Sequence, residues 1–235
     1  MINTKISIAE FLRKYACQYH NADFIQSDPV QFPHRYTSKK DIEISGFLTA
    51  ILSFGSRAQI LKAAERLDVI MGGEPWRYVM SQQWRTDFCG KESFYRTLSK
   101  DRVGELFAWL HAVYSEYGSM EDALLAGNGT PMERLCSRLE VSAKSPQKKL
   151  NMFLRWMIRR ESEVDFGIWT SFSPRELIIP LDTHVSRMAF RLGLTRSESY
   201  TLNNAKCITC TLLEIFPEDP CLGDFALFGY GVNEL

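Results

Sequence analysis

A surplus of either charge is missing: 28 Lys+Arg against 28 Asp+Glu leave a formal net charge of zero over 235 residues. That balance argues against a protein that coats nucleic acid by bulk electrostatics, which needs a surplus of cations to displace counterions. No apolar run approaches the roughly 18 residues a membrane span requires. The start, Met1-Ile-Asn-Thr-Lys, has no apolar stretch of the kind that opens a secretion signal. A cytoplasmic protein without a membrane partner is therefore expected. Histidine is scarce: His20, His34, His111 and His184 stand alone with no His-Asp dipeptide, so a helical metal phosphohydrolase lacks its donors and no metal is expected. Sustained alternation of period two is also missing, which leaves strands little to build on. Of the cysteines, Cys17, Cys89 and Cys136 are scattered, Cys207-x-x-Cys210 lies inside a helical apolar pattern, and Cys221 follows. They read as free thiols packed in a core.

What is present is helical. With 45% hydrophobic and 24% charged residues the chain is globular and long enough to bury one large core or two smaller ones. Ser7-Ile-Ala-Glu10 has capping-box spacing, and Ile8, Phe11, Leu12, Tyr15, Ala16 and Tyr19 mark one face of a first helix. Residues 20–37, with Asp28-Pro29 and Phe32-Pro33, read as an extended loop. Ser38 to Asp41 signals the next helix start, followed by Ile44, Phe47, Leu48, Ile51 and Leu52. Ser53-Phe-Gly55-Ser-Arg57 breaks that pattern before Ile60, Leu61, Ala64 and Leu67 resume it. The 82–100 region is polar and aromatic and shows no clear period. Val103, Leu106, Phe107, Leu110, Val113 and Tyr114 then predict a long helix, and Thr130-Pro131-Met-Glu133 another start with proline at its favoured first position. The fold class is all-α.

Between Lys144 and Arg160 stand Lys144, Lys148, Lys149, Arg155, Arg159 and Arg160 with no acid among them. Leu150, Phe153, Leu154, Met157 and Ile158 form the apolar face of the helix over 147–160, so Lys148, Asn151, Arg155 and Arg159 fall on the opposite, solvated face. Downstream, Ile178-Ile-Pro180-Leu-Asp182-Thr-His184-Val runs in extended and turns into a helix that Val185, Met188, Ala189 and Leu192 continue to Gly193. Asp182 stands as its N-cap. By itself this is an ordinary capped helix.

Leu181-Asp-Thr-His-Val with Arg187 and Arg191 resembles the hallmark of the helix-hairpin-helix DNA glycosylase superfamily, the relatives of endonuclease III and of the archaeal-type 8-oxoguanine glycosylases. Within it the chain is most similar to a bacterial family of unknown function, through Asp41-Ile-Glu-Ile-Ser-Gly-Phe, Asn151-Met-Phe-Leu-Arg-Trp and Asp224-Phe-Ala-Leu-Phe-Gly. The resemblance implies two helical subdomains with a cleft between them, residues 40–174 as a helical barrel and residues 1–39 plus 175–235 as a second subdomain carrying the Asp182 helix. It also implies a DNA repair glycosylase acting on double-stranded DNA, with Asp182 at the base pocket and Lys148, five residues before Phe153-Leu-Arg155, as the amine of an abasic-site lyase. The hairpin is degenerate, since Lys144 and Pro146 stand where that turn carries glycines. Lys144, Lys149, Arg155, Arg159, His184 and Arg187 would contact DNA. Gly55 or Arg57 would occupy the gap left by an extruded base, and Trp169 would stack on that base or pack in the core. Endonuclease III-type iron–sulfur sites use four closely spaced cysteines after the catalytic helix, and Cys207, Cys210 and Cys221 fall one short, so no iron–sulfur cluster and no cofactor are expected. The alternatives are a non-catalytic DNA-binding protein that keeps the scaffold and a protein-interaction scaffold.

Overall fold

The computed structural model describes residues 7–233, and among them the chain is helical apart from one short hairpin. It divides into two compact units, one formed by Ile25–Asn128 and the other by the segment ending at Phe24 together with that from Gly129 onward. A discontinuous terminal unit is what the resemblance implies; the observed boundaries fall at 24/25 and 128/129 instead of 39/40 and 174/175.

The terminal unit opens with α1 (Ile8–Tyr19), whose capping box is complete: Glu10 N–H donates to Ser7 Oγ and Ser7 N–H to Glu10 Oε2. After α2 (Asp23–Ser27) the chain makes two 3-10 turns at Pro29–Gln31 and Pro33–Arg35, where a plain extended loop is expected. Each proline sits at the first helical position, and Asp28 caps the first turn by accepting from Val30 N–H.

The unit Ile25–Asn128 is built around α3 (Lys39–Leu52), which is buried on nearly every side. Glu43 lies in its middle, fully buried, and accepts from Tyr114 Oη at 2.7 Å and from Met120 N–H at 3.0 Å. Asp41, expected to help start α3, accepts instead from Trp76 N–H at 2.8 Å and so serves the beginning of α5 (Pro75–Ser81). Between them runs α4 (Arg57–Ile70), with Ser56 as its cap. Then come α6 (Trp84–Asp87), the antiparallel pair β1 (Ser93–Tyr95) and β2 (Leu98–Ser99), α7 (Lys100–Glu116) and α8 (Met120–Leu125).

The chain returns to the terminal unit with α9 (Pro131–Arg138), α10 (Lys148–Ile158), a 3-10 turn at Pro174–Glu176, α11 (Thr183–Arg191), α12 (Leu202–Ile215) and α13 (Cys221–Asn233). The last helix is the hub: α1, α11 and α12 all pack on it. Its glycines weigh against a helix by propensity, at roughly 1 kcal/mol each, yet they form the contact surface. A Cβ at Gly229 would fall inside the Tyr19 side chain, and one at Gly231 would stand 2.8 Å from Met188 Cγ. Backbone approach this close stabilises the helix through its neighbours.

The cysteines correct the expectation of core thiols. Cys136 and Cys221 are buried, whereas Cys17, Cys89, Cys207 and Cys210 are exposed, all of them free. The apolar stripe of α12 is carried by Ala205, Ile208 and Leu212, which turns its two cysteines outward. Among the described residues no helix is long and apolar enough to cross a membrane.

Candidate functional site

Asp182 is held in place by its own helix. Ile179, Pro180 and Leu181 are buried and anchor the approach, and Asp182 then adopts an extended conformation (φ −127°, ψ −175°) as the N-cap of α11. Its Oδ1 accepts from the backbone N–H groups of His184 and Val185, both at 2.9 Å. One carboxylate oxygen is thus occupied by amides that would otherwise lack partners, and the other points away from the helix.

The other oxygen faces Lys148. Its Nζ lies 3.7 Å from Asp182 Oδ2, with 28% and 19% of the two side chains exposed. At that separation and exposure the contact is an ion pair of small energetic value, about 0–1 kcal/mol, and both groups remain reachable from solvent. Lys148 opens α10 after a turn over 142–147. That turn is closed by side-chain bonds to Ser142: Gln147 Nε2 donates to Ser142 O at 2.8 Å, and Lys144 N–H to Ser142 Oγ at 3.2 Å. The left-handed residue is Gln147 (φ 45°, ψ 47°), so a side-chain-bearing residue does here what a glycine usually does.

Lys149, beside Lys148, is half-buried, and burial followed by the neighbouring Lys148 charge pushes its amine down to about 8. Lys144 is exposed on the turn, and His184 and Arg187 are exposed on α11. Gly55 (φ +105°) and Arg57 lie in the connection from α3 to α4, in the unit Ile25–Asn128, and both are exposed. Trp169 is fully buried, its ring 5.4 Å from Phe153 and 6.2 Å from Phe172. It is a core residue and presents no face to a base.

Arg155 and Arg159 correct the expectation of a solvated basic face. Their side chains are 7% and 2% exposed. Arg155 donates to Asp165 Oδ1 at 3.3 Å and to Asp224 Oδ2 at 3.1 Å. Arg159 donates to Asp165 Oδ2 at 2.8 Å and to Asp219 Oδ2 at 2.5 Å. Both guanidiniums lie over the Phe225 ring, at 4.6 and 5.0 Å from its centroid. The network ties α10 to α13 and to the loop that follows α10, and it neutralises two cations that would otherwise be counted toward DNA. His20, the C-cap of α1, joins it through Arg159, and burial followed by the Arg159 charge pushes its imidazole down to about 4.

The acids Asp165 and Asp219 stand beside others, Glu161 and Glu163 in the first case and Glu218 in the second, and nothing in either stretch marks which carboxylate will meet a buried arginine. Asp224 stands in one of the segments that carry the resemblance to the bacterial family, Asp224-Phe-Ala-Leu-Phe-Gly. Burial pushes its carboxyl up to about 7, with Arg155 pulling down, Asp182 pushing further up and Lys148 pulling down. Asp219 is raised too, by burial first, with Arg159 opposing. Among the described residues no group of three or more His, Cys, Asp or Glu is placed to hold a metal ion.

These observations define a predominantly helical protein in which an amine and a carboxylate, each at the N-terminus of its own helix, share one partly exposed position. The chain belongs to the family described as "Protein of unknown function (DUF2400)", which matches residues 28–140 and 131–233. Comparison with curated proteins and with solved structures finds no match.

Proposed function

We propose that the Lys148–Asp182 pair is the active centre of a DNA N-glycosylase with abasic-site lyase activity, together with the glycosylase-like architecture and degenerate hairpin over 142–147 that this implies. The observation that carries the reading is the 3.7 Å approach of Lys148 Nζ to Asp182 Oδ2, made by residues that lie far apart in the chain and are both open to solvent. The likeness of Leu181-Asp-Thr-His-Val to the glycosylase hallmark gives that pair its chemistry.

Cleavage of an N-glycosidic bond passes through a sugar with oxocarbenium character, so a carboxylate fixed beside C1′ stabilises the developing positive charge or takes a proton from the attacking group. Asp182 is suited to this because amides lock one oxygen and leave the other turned to Lys148. The Lys148 amine, once it has given up a proton, attacks C1′ through its lone pair as the base leaves with the glycosidic electrons. Opening of the sugar then gives a Schiff base to Nζ. Lys144, Lys149, His184 and Arg187 supply the cationic or polar groups around the pair that would meet phosphates.

The test is borohydride trapping and base release on duplexes carrying 8-oxoguanine, uracil, an oxidised pyrimidine or an abasic site. The Asp182→Asn variant is expected to lose base release by roughly a hundredfold or more. Lys148→Ala abolishes the trapped adduct, while Lys149→Ala, which removes the neighbouring amine pushed down to about 8 by burial, retains it. An adduct that survives in Lys148→Ala removes Lys148 from the mechanism. Duplex binding unchanged by Asp182→Asn, with no base released from any substrate, selects a non-catalytic DNA-binding protein instead.

A further inference from the structure

Val185, Ser186, Met188 and Ala189 turn one side of α11 into the terminal unit. The other side carries Thr183, His184, Arg187, Phe190 and Arg191, all exposed, and at 3.6 residues per turn they fall within about 120° of arc. No acid stands on this helix. Neither Arg187 nor Arg191 enters an ion pair among the described residues. Arg155 and Arg159 show the opposite fate of a cation in the same unit, since acids from distant segments meet both of them. Phe190, beside the two arginines, is 43% exposed.

A second aromatic side chain is held next to that face. Asn204, buried in α12, donates from Nδ2 to Ser186 Oγ at 3.1 Å, to Ser197 O at 3.0 Å and to Ser199 O at 2.8 Å, and its Oδ1 accepts from Thr195 Oγ1 at 2.5 Å. One amide thus pins the loop over 195–200 to α11 at Ser186, and the residues one turn to either side of Ser186 are Thr183 and Phe190. Tyr200, which follows Ser199, is 50% exposed. The loop adds no net charge, because Arg196 offsets Glu198. Neither Phe190 nor Tyr200 packs on another ring among the described residues.

We propose that this face binds an unpaired DNA strand, with Arg187 and Arg191 on its phosphates and Phe190 and Tyr200 against the faces of its bases. The two arginines stand one turn apart, about 6 Å along the axis, so both reach the backbone of one strand. A duplex satisfies the arginines but not the rings, because paired bases present only their edges in the grooves. Every unpaired base offers a face on which an aromatic side chain stacks. The helix begins beside Asp182, the residue that meets Lys148, and Phe190 stands about 12 Å further along it. A strand laid on this face therefore leads away from that pair. As an account of the substrate, DNA unpaired next to the reacting nucleotide, the proposal rests on the glycosylase reading; strand binding itself is measured without cleavage.

The experiment is fluorescence anisotropy with the full chain, a short fluorescein-labelled oligo(dT) and the same strand paired with oligo(dA), over a range of salt concentrations. Oligo(dT) is expected to bind more tightly than the duplex. Phe190→Ala and Tyr200→Ala each weaken the single strand about tenfold, the loss of one stacked base, and the duplex by less than about twofold. Phe190→Tyr keeps the wild-type affinity, and Phe190→Leu, apolar but without a ring, behaves as Phe190→Ala. Arg187→Gln with Arg191→Gln flattens the slope of log affinity against log salt by about 1.4, about 0.7 for each phosphate on a single strand. All four side chains are exposed, so these substitutions leave the packed side of α11 in place. The proposal is overturned by no binding of oligo(dT), by equal losses on single strand and duplex, by no loss in either ring variant or by an unchanged salt slope in the double variant. Tighter binding of oligo(U) than of oligo(dT) overturns it too, by making RNA the partner. Strand binding as expected with no base released from any substrate counts against the glycosylase reading alone, and base release without strand binding counts against the α11 face alone.

Discussion

Replacing Asp224 by asparagine is expected to stabilise the protein in alkaline solution, although it removes one partner of a buried ion pair. Burial raises the folded-state carboxyl to about 7, while in the unfolded chain it titrates near about 3.9. A carboxyl raised on folding contributes its full stability below the unfolded value. That contribution is lost as pH rises toward and through the folded value, because the folded protein then ionises a group that has little water and, among the described residues, no donor to its Oδ1. At about 1.4 kcal/mol per tenfold in proton affinity, the separation amounts to about 4 kcal/mol by pH values well above about 7. Roughly 1.5 kcal/mol of it is already lost at about pH 5, leaving about 3 kcal/mol between about pH 5 and about pH 8.5. Asparagine resembles the protonated acid and has no such dependence. Urea denaturation of both proteins at the two pH values measures the difference directly, and the buried Trp156 and Trp169 in the same unit report the transition by fluorescence. The expected result is an advantage for Asp224→Asn that grows by about 3 kcal/mol from the lower to the higher pH. An advantage that shrinks, or a penalty that grows, would refute the reasoning: Asp224 would then behave as an ordinary ionised partner of Arg155, with a depressed carboxyl.

Two further substitutions test the packing that supports the site. Asp165→Ala removes the fully buried carboxylate that both guanidiniums share. Breaking a buried pair of this kind costs about 3–5 kcal/mol, and thermal denaturation showing a loss under about 1 kcal/mol would mean that Asp219 and Asp224 suffice to hold Arg155 and Arg159. Gly229→Ala places a Cβ inside the Tyr19 side chain at the α1–α13 contact and is expected to cost about 1–3 kcal/mol by overpacking. A variant with unchanged denaturation midpoint would show that α1 can shift on α13 without loss.

Much of this protein is legible residue by residue. The capping boxes at Ser7 and Thr130, the proline-led starts at Pro75 and Pro131 and the stop at Gly193 all rest on bonds between residues a few positions apart, so a local reading finds them. Asp182 as the N-cap of α11 belongs to the same class. The turn over 142–147 is harder: its left-handed residue is Gln147, where composition points to no glycine at all.

The sequence by itself determined a helical chain and the two residues that head α10 and α11, because helix starts and caps are decided within a turn or two of the backbone. Tertiary structure alone decided that Lys148 and Asp182 meet, and that Arg155 and Arg159 are interior groups and not a DNA-facing stripe. Their counterions, Asp165, Asp219 and Asp224, come from segments that fold back from elsewhere. Whether a cation is solvated or buried depends on which distant acids the fold brings to it, a sum over contacts that no run of neighbouring residues encodes.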